Sequence, residues 1–149
     1  MAMTLAEAGC VDYRLLASDL STKAVATARR GVYRMERVER IPMPLLRAYF
    51  ERGLDESTGL VRVAPELRRR IEFQNLNLLE IRSLGRQFDV IFCRNVMIYF
   101  DQPARQQVVS MLERHLTPGG FLVIAHAETL NDVDHRLRPI AAAVFRRTL

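Results

Sequence analysis

The residues of this chain whose types and spacing could do chemistry stand where apolar runs stop. Val90-Ile-Phe-Cys93 ends abruptly at Arg94 and Asn95, and a second apolar run, Val96 to Phe100, carries one phenol, Tyr99. A buried parallel strand that stops at polar groups is where open α/β sheets place their ligands, in the crevice beyond the carboxyl ends of the strands. Asp19 ends a strand-sized run and precedes a helical one. A carboxylate there can accept both hydroxyls of a ribose, or it can cap the helix. Asn77 falls in a loop between predicted strands, where the ordinary use of Asn is to form a turn. His126 and Glu128 follow the run Phe121-Leu-Val-Ile-Ala125 and are expected to point toward the same kind of crevice. Arg94, if structural, needs a partner, because an unpaired charge at the edge of a core is costly. Tyr99 could equally be a core aromatic with a satisfied hydroxyl.

Other chemistries leave no trace. No catalytic triad and no paired-carboxylate spacing occurs, and His115, His126 and His135 are not spaced as a zinc site. Gly119-Gly120 follows a helical pattern rather than a strand, so it reads as a helix terminator and not a phosphate loop.

The elements that position these residues alternate between strand and helix. Residues 1–9 read as a helix stopping at Gly9, and residues 13–18 as a strand. Ser21 or Thr22 can cap a helix running to Arg30, closed by Gly31. The middle is irregular. Val32-Tyr33 could extend the helix exit, Ile41-Pro-Met-Pro44 breaks any helix, and residues 45–52 allow one or two helical turns. Asp55-Glu-Ser-Thr-Gly59 reads as a turn, Leu60-Val-Arg-Val63 as a short strand, Pro65 as the start of a helical turn, and residues 70–74 as a strand. Short strands around a polar turn suggest a small antiparallel excursion at about residues 45–74. Residues 88–94 then read as a buried strand. They are followed by a helix over about 103–116 with Asp101 as N-cap and Ala104, Val108, Met111, Leu112 and Leu116 inward. Thr117-Pro-Gly-Gly120 ends that helix, residues 121–125 form a buried strand, and residues 141–148 supply a last strand, antiparallel and near an edge.

Composition agrees with one soluble globular domain: 149 residues, 49% hydrophobic and 26% charged. No apolar run approaches the roughly 18 residues of a membrane span. The start of the chain has no basic segment and carries Glu7, so no signal peptide is expected. Cys10 and Cys93 match no metal or redox spacing, which suits a reducing cytoplasm. The net charge is +5, and Lys23 is the lone lysine among 22 basic residues. The densest run, Arg68-Arg-Arg70, lacks an aromatic platform and lies in an amphipathic pattern, so it reads as a solvated face rather than a nucleic-acid site.

Taken together, a set of segments resembles the CheR family, the chemotaxis-receptor glutamate O-methyltransferases. They are Leu16-Ala-Ser-Asp-Leu-Ser-Thr22, Ala28-Arg-Arg-Gly-Val-Tyr33, Val61-Arg-Val-Ala-Pro-Glu-Leu67, Phe73-Gln-Asn-Leu-Asn-Leu-Leu79, the run from Phe88 to Asp101, Leu116-Thr-Pro-Gly-Gly120 and Ala125-His-Ala-Glu128. They cover nearly the whole chain, and Cys-Arg-Asn-Val-Met-Ile-Tyr-Phe (93–100) is the most specific.

The resemblance implies an α/β fold, a class I, Rossmann-like methyltransferase sheet. Its cofactor would be S-adenosyl-L-methionine and its product S-adenosyl-L-homocysteine. It implies that Asp19 holds the ribose, that Asn77 and Leu78 lie against the adenine, that Arg94 and Asn95 line the reactive end, and that Tyr99 meets the substrate carboxylate. The partners implied are the cytoplasmic helices of methyl-accepting chemotaxis receptors, with no nucleic acid and no membrane insertion. Residues 45–74 would correspond to the family's small β-subdomain. The turn at 55–59 lacks a Gly-Gly pair, which argues against tight receptor-peptide docking there. Ala125 and Ala127 stand where the family usually has Gly and Ser. The family's N-terminal domain, first strand and glycine-containing loop have no counterpart in residues 1–149, so the sheet is expected to be incomplete at its N-terminus and cofactor binding by these residues alone to be poor. The alternative is a non-catalytic module that binds a receptor or signalling partner.

Overall fold

A parallel pair of strands organises the first half of the chain. In the computed structural model, which describes residues 1–53, 58–81 and 83–148, the chain falls into two units, Met1–Leu76 and Asn77–Leu149. The first unit opens with helix α1 (Ala2–Glu7) and strand β1 (Leu15–Asp19). Ser21 then caps α2 (Thr22–Arg30): its hydroxyl accepts the Ala24 N–H at 3.2 Å, taking up one of the donors a helix start leaves open. Gly31 ends that helix at φ +63°, a left-handed conformation that glycine adopts without a Cβ penalty. The chain continues through β2 (Val32–Arg34), α3 (Met43–Tyr49), β3 (Phe50–Arg52), β4 (Leu60–Val63), α4 (Pro65–Arg68) and β5 (Ile71–Asn75). Strand β5 pairs in parallel with β1, from Leu15 opposite Ile71 to Asp19 opposite Asn75. Strands β2, β4 and β3 form a separate antiparallel sheet in that order. Its inner face holds Val61 against Val38 and Leu46, with Tyr33, Met35, Ile41 and Phe50 around them.

Several expectations for this unit shift. The antiparallel sheet takes its strands from residues 32–63, whereas the sequence grouped residues 45–74; Ile71–Asn75 belongs to the parallel pair. Val32-Tyr33 is strand rather than helix exit. Pro44 does not prevent a helix. It occupies the first turn of α3, where a missing N–H costs nothing. Of the expected turn at 55–59, residues 55–57 lie outside the described residues; Thr58 and Gly59 turn into β4.

The second unit is a four-stranded sheet carrying one long helix. Its elements are β6 (Phe88–Cys93), α5 (Gln102–His115), β7 (Leu116–Ile124), β8 (Leu137–Ala141) and β9 (Val144–Arg147), in the sheet order β6-β7-β9-β8. Strands β6 and β7 are parallel, joined through α5; the other pairs are antiparallel. The Asp101 carboxylate caps α5 by accepting the Ala104 N–H at 3.0 Å. Val108, Val109, Leu116 and Leu122 are completely buried, with Met97, Met111 and Ile124 nearly so.

Three differences from the sequence pattern have physical reasons. Thr117-Pro-Gly-Gly120 lies within the span of β7 as an irregularity: Leu116 pairs with Phe88, and pairing resumes with Phe121 opposite Val90. Glycine is needed there, since a Cβ on Gly120 would come within 3.0 Å of the Asp89 and Thr117 carbonyl oxygens. The last strand, β9, is antiparallel as expected and lies one strand in from the edge; the edge on that side is β8, which periodicity did not reveal and which contains Pro139. A proline suits an edge because it has no N–H for a further ladder. Finally, β6 is buried on one side only. Cys93 and Ile91 face the core, whereas Val90 and Phe92 are 45% and 49% exposed. A run of four apolar residues suggests cover on both faces, but the core cluster packs on only the Ile91 and Cys93 face.

Candidate functional site

In the first unit, the candidate chemistry sits at the carboxyl ends of β1 and β5. Asp19 is exposed, and its Oδ1 accepts the Ser21 N–H at 2.7 Å. The cap of α2 is Ser21 itself, so Asp19 is not the helix-capping residue. Opposite it, Asn75 donates from Nδ2 to the carbonyls of Asp19 at 2.9 Å and Leu20 at 2.7 Å. Leu76 N adds a second bond to the Asp19 carbonyl, at 3.1 Å. The backbone beneath Asp19 is thus held from the neighbouring strand while its carboxylate faces solvent.

In the second unit, Arg94 and Asn95 follow the last residue of β6. Both are exposed, so Arg94 bears no burial cost that a structural partner would have to relieve. Asn95 has φ +60°. Asn visits this region more readily than other residues with a Cβ, and Val96 returns to the right-handed region at φ −118°, ψ −44°. Successive left- and right-handed residues turn their N–H groups to one side and make a concavity for an anion. That concavity is filled by Glu128. Its Oε1 accepts the N–H of Val96 and of Met97, both at 3.0 Å, and its Oε2 accepts the Ala125 N–H at 2.8 Å. Hydrogen bonds to a charged group are worth about 1.5–3 kcal/mol each. The ends of β6 and β7 are therefore tied by one carboxylate.

Beyond this turn, Met97 is buried while Ile98 and Tyr99 are 54% and 80% exposed. Tyr99 is consequently a surface phenol at the mouth of the strand ends and not a core aromatic. His126 is also exposed. Asn77 uses both side-chain atoms locally: Oδ1 accepts the Leu79 N–H at 3.1 Å and Nδ2 donates to Glu80 at 2.8 Å. Leu78 packs against the core cluster of the second unit. Cys93, next to the turn, is buried, and burial together with the nearby Glu128 charge pushes its thiol up to about 12. Among the described residues no group of three or more His, Cys, Asp or Glu could hold a metal ion, and no helix is long and apolar enough to cross a membrane.

Sequence reasoning placed Asp19, Arg94, Asn95, His126 and Glu128 at strand ends and Tyr99 in the apolar run that follows one, but missed what Asn75 and Glu128 do. For Asn75 the available signal was an amide ending the strand before the Asn77 loop. For Glu128 it was an acid three residues beyond the end of a buried strand.

The N-methyltransferase NodS from Bradyrhizobium japonicum WM9 superposes with a TM-score of 0.53 over 91% of this chain and 74% of its own, at 18% identity. At that identity the likeness bears on the fold alone, which is that of class I S-adenosylmethionine-dependent methyltransferases. The chain belongs to the CheR methyltransferase family, matching the family's SAM-binding domain over residues 1–145. Similar curated proteins are chemotaxis protein methyltransferase 2 of Pseudomonas aeruginosa, 40% identical over 97% of this chain and 53% of the relative, and the chemotaxis protein methyltransferase of Escherichia coli, 39% identical over 91% and 49%. The chain thus spans about half the length of the curated relatives it matches.

Proposed function

We propose that this chain contributes the cofactor-binding portion of a protein-glutamate O-methyltransferase that forms methyl esters on chemotaxis receptors. The observation that carries the proposal is the family match over residues 1–145, which spans every strand-end residue described above. The donor set fits S-adenosylmethionine. Asp19 presents a carboxylate to solvent at a strand end, suited to vicinal ribose hydroxyls, and Arg94 and Asn95 present exposed polar groups at another. When bound, the cofactor supplies a methyl group on a sulfonium, already a good leaving group.

Asp19 is assigned to the ribose, Asn77 and Leu78 to the adenine, and Arg94 and Asn95 to the end of the cofactor where transfer occurs. A receptor glutamate is ionised at neutral pH and needs no base to become a nucleophile. What the protein must provide is alignment and exclusion of water. Tyr99 orients the incoming carboxylate by donating a hydrogen bond from its exposed hydroxyl. The partners are the cytoplasmic helices of methyl-accepting receptors, which places the reaction in the cytoplasm.

The test is Tyr99→Phe in the full-length protein. Loss of one orienting hydrogen bond, about 1–1.5 kcal/mol, lowers the rate of receptor methyl-ester formation roughly tenfold. An unchanged rate removes Tyr99 from the mechanism. Failure of the unaltered protein to form methyl esters removes the function.

A further inference from the structure

We infer that Glu128 is a positioning residue: its carboxylate sets the backbone of the Arg94–Met97 turn, and through it the end of the site that receives the reactive part of the cofactor. The inference rests on the proposed methyl-transfer function.

The geometry is unusually complete for one side chain. One oxygen takes two successive N–H groups, Val96 and Met97, at 3.0 Å each; the other takes Ala125 N–H at 2.8 Å. The backbone also closes on itself, since the Glu128 N–H donates to the Ala125 carbonyl at 3.0 Å. Glu128 therefore faces its own backbone turn at the end of β7 on one side and the turn after β6 on the other. It is partly buried, and of the three residues whose N–H groups it accepts, Met97 and Ala125 are buried.

The position of the turn has consequences on both sides. Asn95 stands at φ +60° immediately before the two N–H groups that Glu128 accepts. A left-handed residue costs about 1–2 kcal/mol unless its surroundings hold it. The anion in the concavity supplies that hold, because the two N–H groups converge only while Asn95 is left-handed. On the far side, Met97 is locked in the core at 2% exposure, so the turn cannot slide along the chain. With its three acceptor contacts committed to backbone, Glu128 has no role as a base. Its effect passes through Asn95 and Arg94.

The experiment compares Glu128→Gln with the unaltered full-length protein. Gln keeps the shape, but its amide nitrogen cannot accept, so at least one of the three N–H groups loses its partner. Loosening the turn leaves its binding-competent form a minority of the free protein, so S-adenosylhomocysteine binding weakens by about tenfold, about 1.4 kcal/mol, in titration calorimetry. The KM for the receptor should stay within about twofold of its unaltered value, because a positioning residue for the cofactor does not act on the second substrate. Equal affinity for S-adenosylhomocysteine in the two proteins overturns the inference, as does an equal rise in both KM values.

A second measurement needs no variant. Amide exchange at Val96 and Met97 in the unaltered protein should slow several-fold on saturation with S-adenosylhomocysteine, since the turn is then held from both sides. Unchanged exchange at these two amides, with the ligand bound, overturns the inference. If the unaltered protein binds S-adenosylhomocysteine but forms no methyl ester on receptors, the proposed function fails, whereas the calorimetric comparison and the exchange measurement still decide the role of Glu128.

Discussion

Asn75 closes over the end of the strand that carries Asp19. The two residues are register partners at the last step of the β1–β5 pair, and the Asn75 amide nitrogen donates to the Asp19 carbonyl at 2.9 Å and to the Leu20 carbonyl at 2.7 Å. An amide can do this because it offers two donors; a carboxylate in the same place offers none. Asn75→Ala should destabilise the protein by about 1 kcal/mol, the low end for two exposed hydrogen bonds. Asn75→Asp should cost more than Asn75→Ala, because it sets a negative charge against two carbonyl oxygens. Urea denaturation of the three proteins gives the order directly, and an Asp variant as stable as the Ala variant contradicts this account.

His115 fixes the loop before β6. It is buried at the end of α5, and its Nε2 lies 2.9 Å from the Leu84 N–H. A backbone N–H can only donate, so Nε2 must accept and the ring proton sits on Nδ1, where it is given to the Met111 carbonyl at 2.8 Å. His115→Phe keeps a planar ring, adds some bulk and strands that N–H. The expected loss is about 1–3 kcal/mol in thermal or urea unfolding, and nitrogen NMR of the unaltered protein should show the Nδ1–H tautomer. Observation of the Nε2–H tautomer rules the arrangement out.

The two cysteines should differ in reactivity. Cys10 is exposed and Cys93 is buried, with its thiol pushed up to about 12 by burial first and by the Glu128 charge second. An alkylating reagent at pH 8 should modify Cys10 and leave Cys93 intact until the protein unfolds, which mass spectrometry reads out. The same shift has a signed effect on stability. In the unfolded chain the thiol ionises near pH 9, while in the folded protein it stays protonated to about 12. The folded state therefore binds the extra proton in this window. Its contribution is fully present below pH 9 and is lost as pH rises, by about 1.4 kcal/mol per unit. Cys93→Ala should flatten that part of the alkaline stability profile.

Ala143 is held at φ +58° in the connection between β8 and β9, where its carbonyl accepts the Ile124 N–H at 3.0 Å. A Cβ in this region costs about 1–2 kcal/mol, and glycine avoids it while losing some of the gain to greater freedom in the unfolded chain. Ala143→Gly should stabilise by about 0.5 kcal/mol. Ala143→Val should destabilise by more than that, since a branched side chain fits the left-handed region poorly. Melting temperatures in the order Gly, Ala, Val from highest to lowest are expected, and a valine variant that matches alanine refutes the strain.

Much of the molecule was legible without coordinates. The Ser21 and Asp101 caps, the Gly31 stop and the α5 stripe depend on neighbours within a turn or two of the chain, and sequence order preserves such neighbours. The strand ends at Asp19, Arg94 and Asn95 were visible because an apolar run that breaks at charge must break where the sheet meets water. What was not legible involved partners far apart in sequence. Periodicity marked residues 70–74 as a strand, but the grouping put them in the antiparallel excursion, whereas they pair with β1. It marked β9 but not its place between β7 and β8. It read four apolar residues in β6 as cover on both faces, although cover is a property of what packs there.

By itself, then, the sequence determined the α/β alternation, the capped helices α2 and α5 and the family, together with which polar residues stand beyond apolar strands. All of these are written in local order: periodicity, caps and short motifs. The tertiary structure alone decided how those strand ends are held. Asn75 reaches the Asp19 carbonyl across a parallel pair, and Glu128 reaches Val96 and Met97 from the neighbouring strand. The physical reason is that a backbone N–H or C=O gives no sign in the sequence of which distant side chain will satisfy it. That choice is made only when the register of the sheet brings the two together.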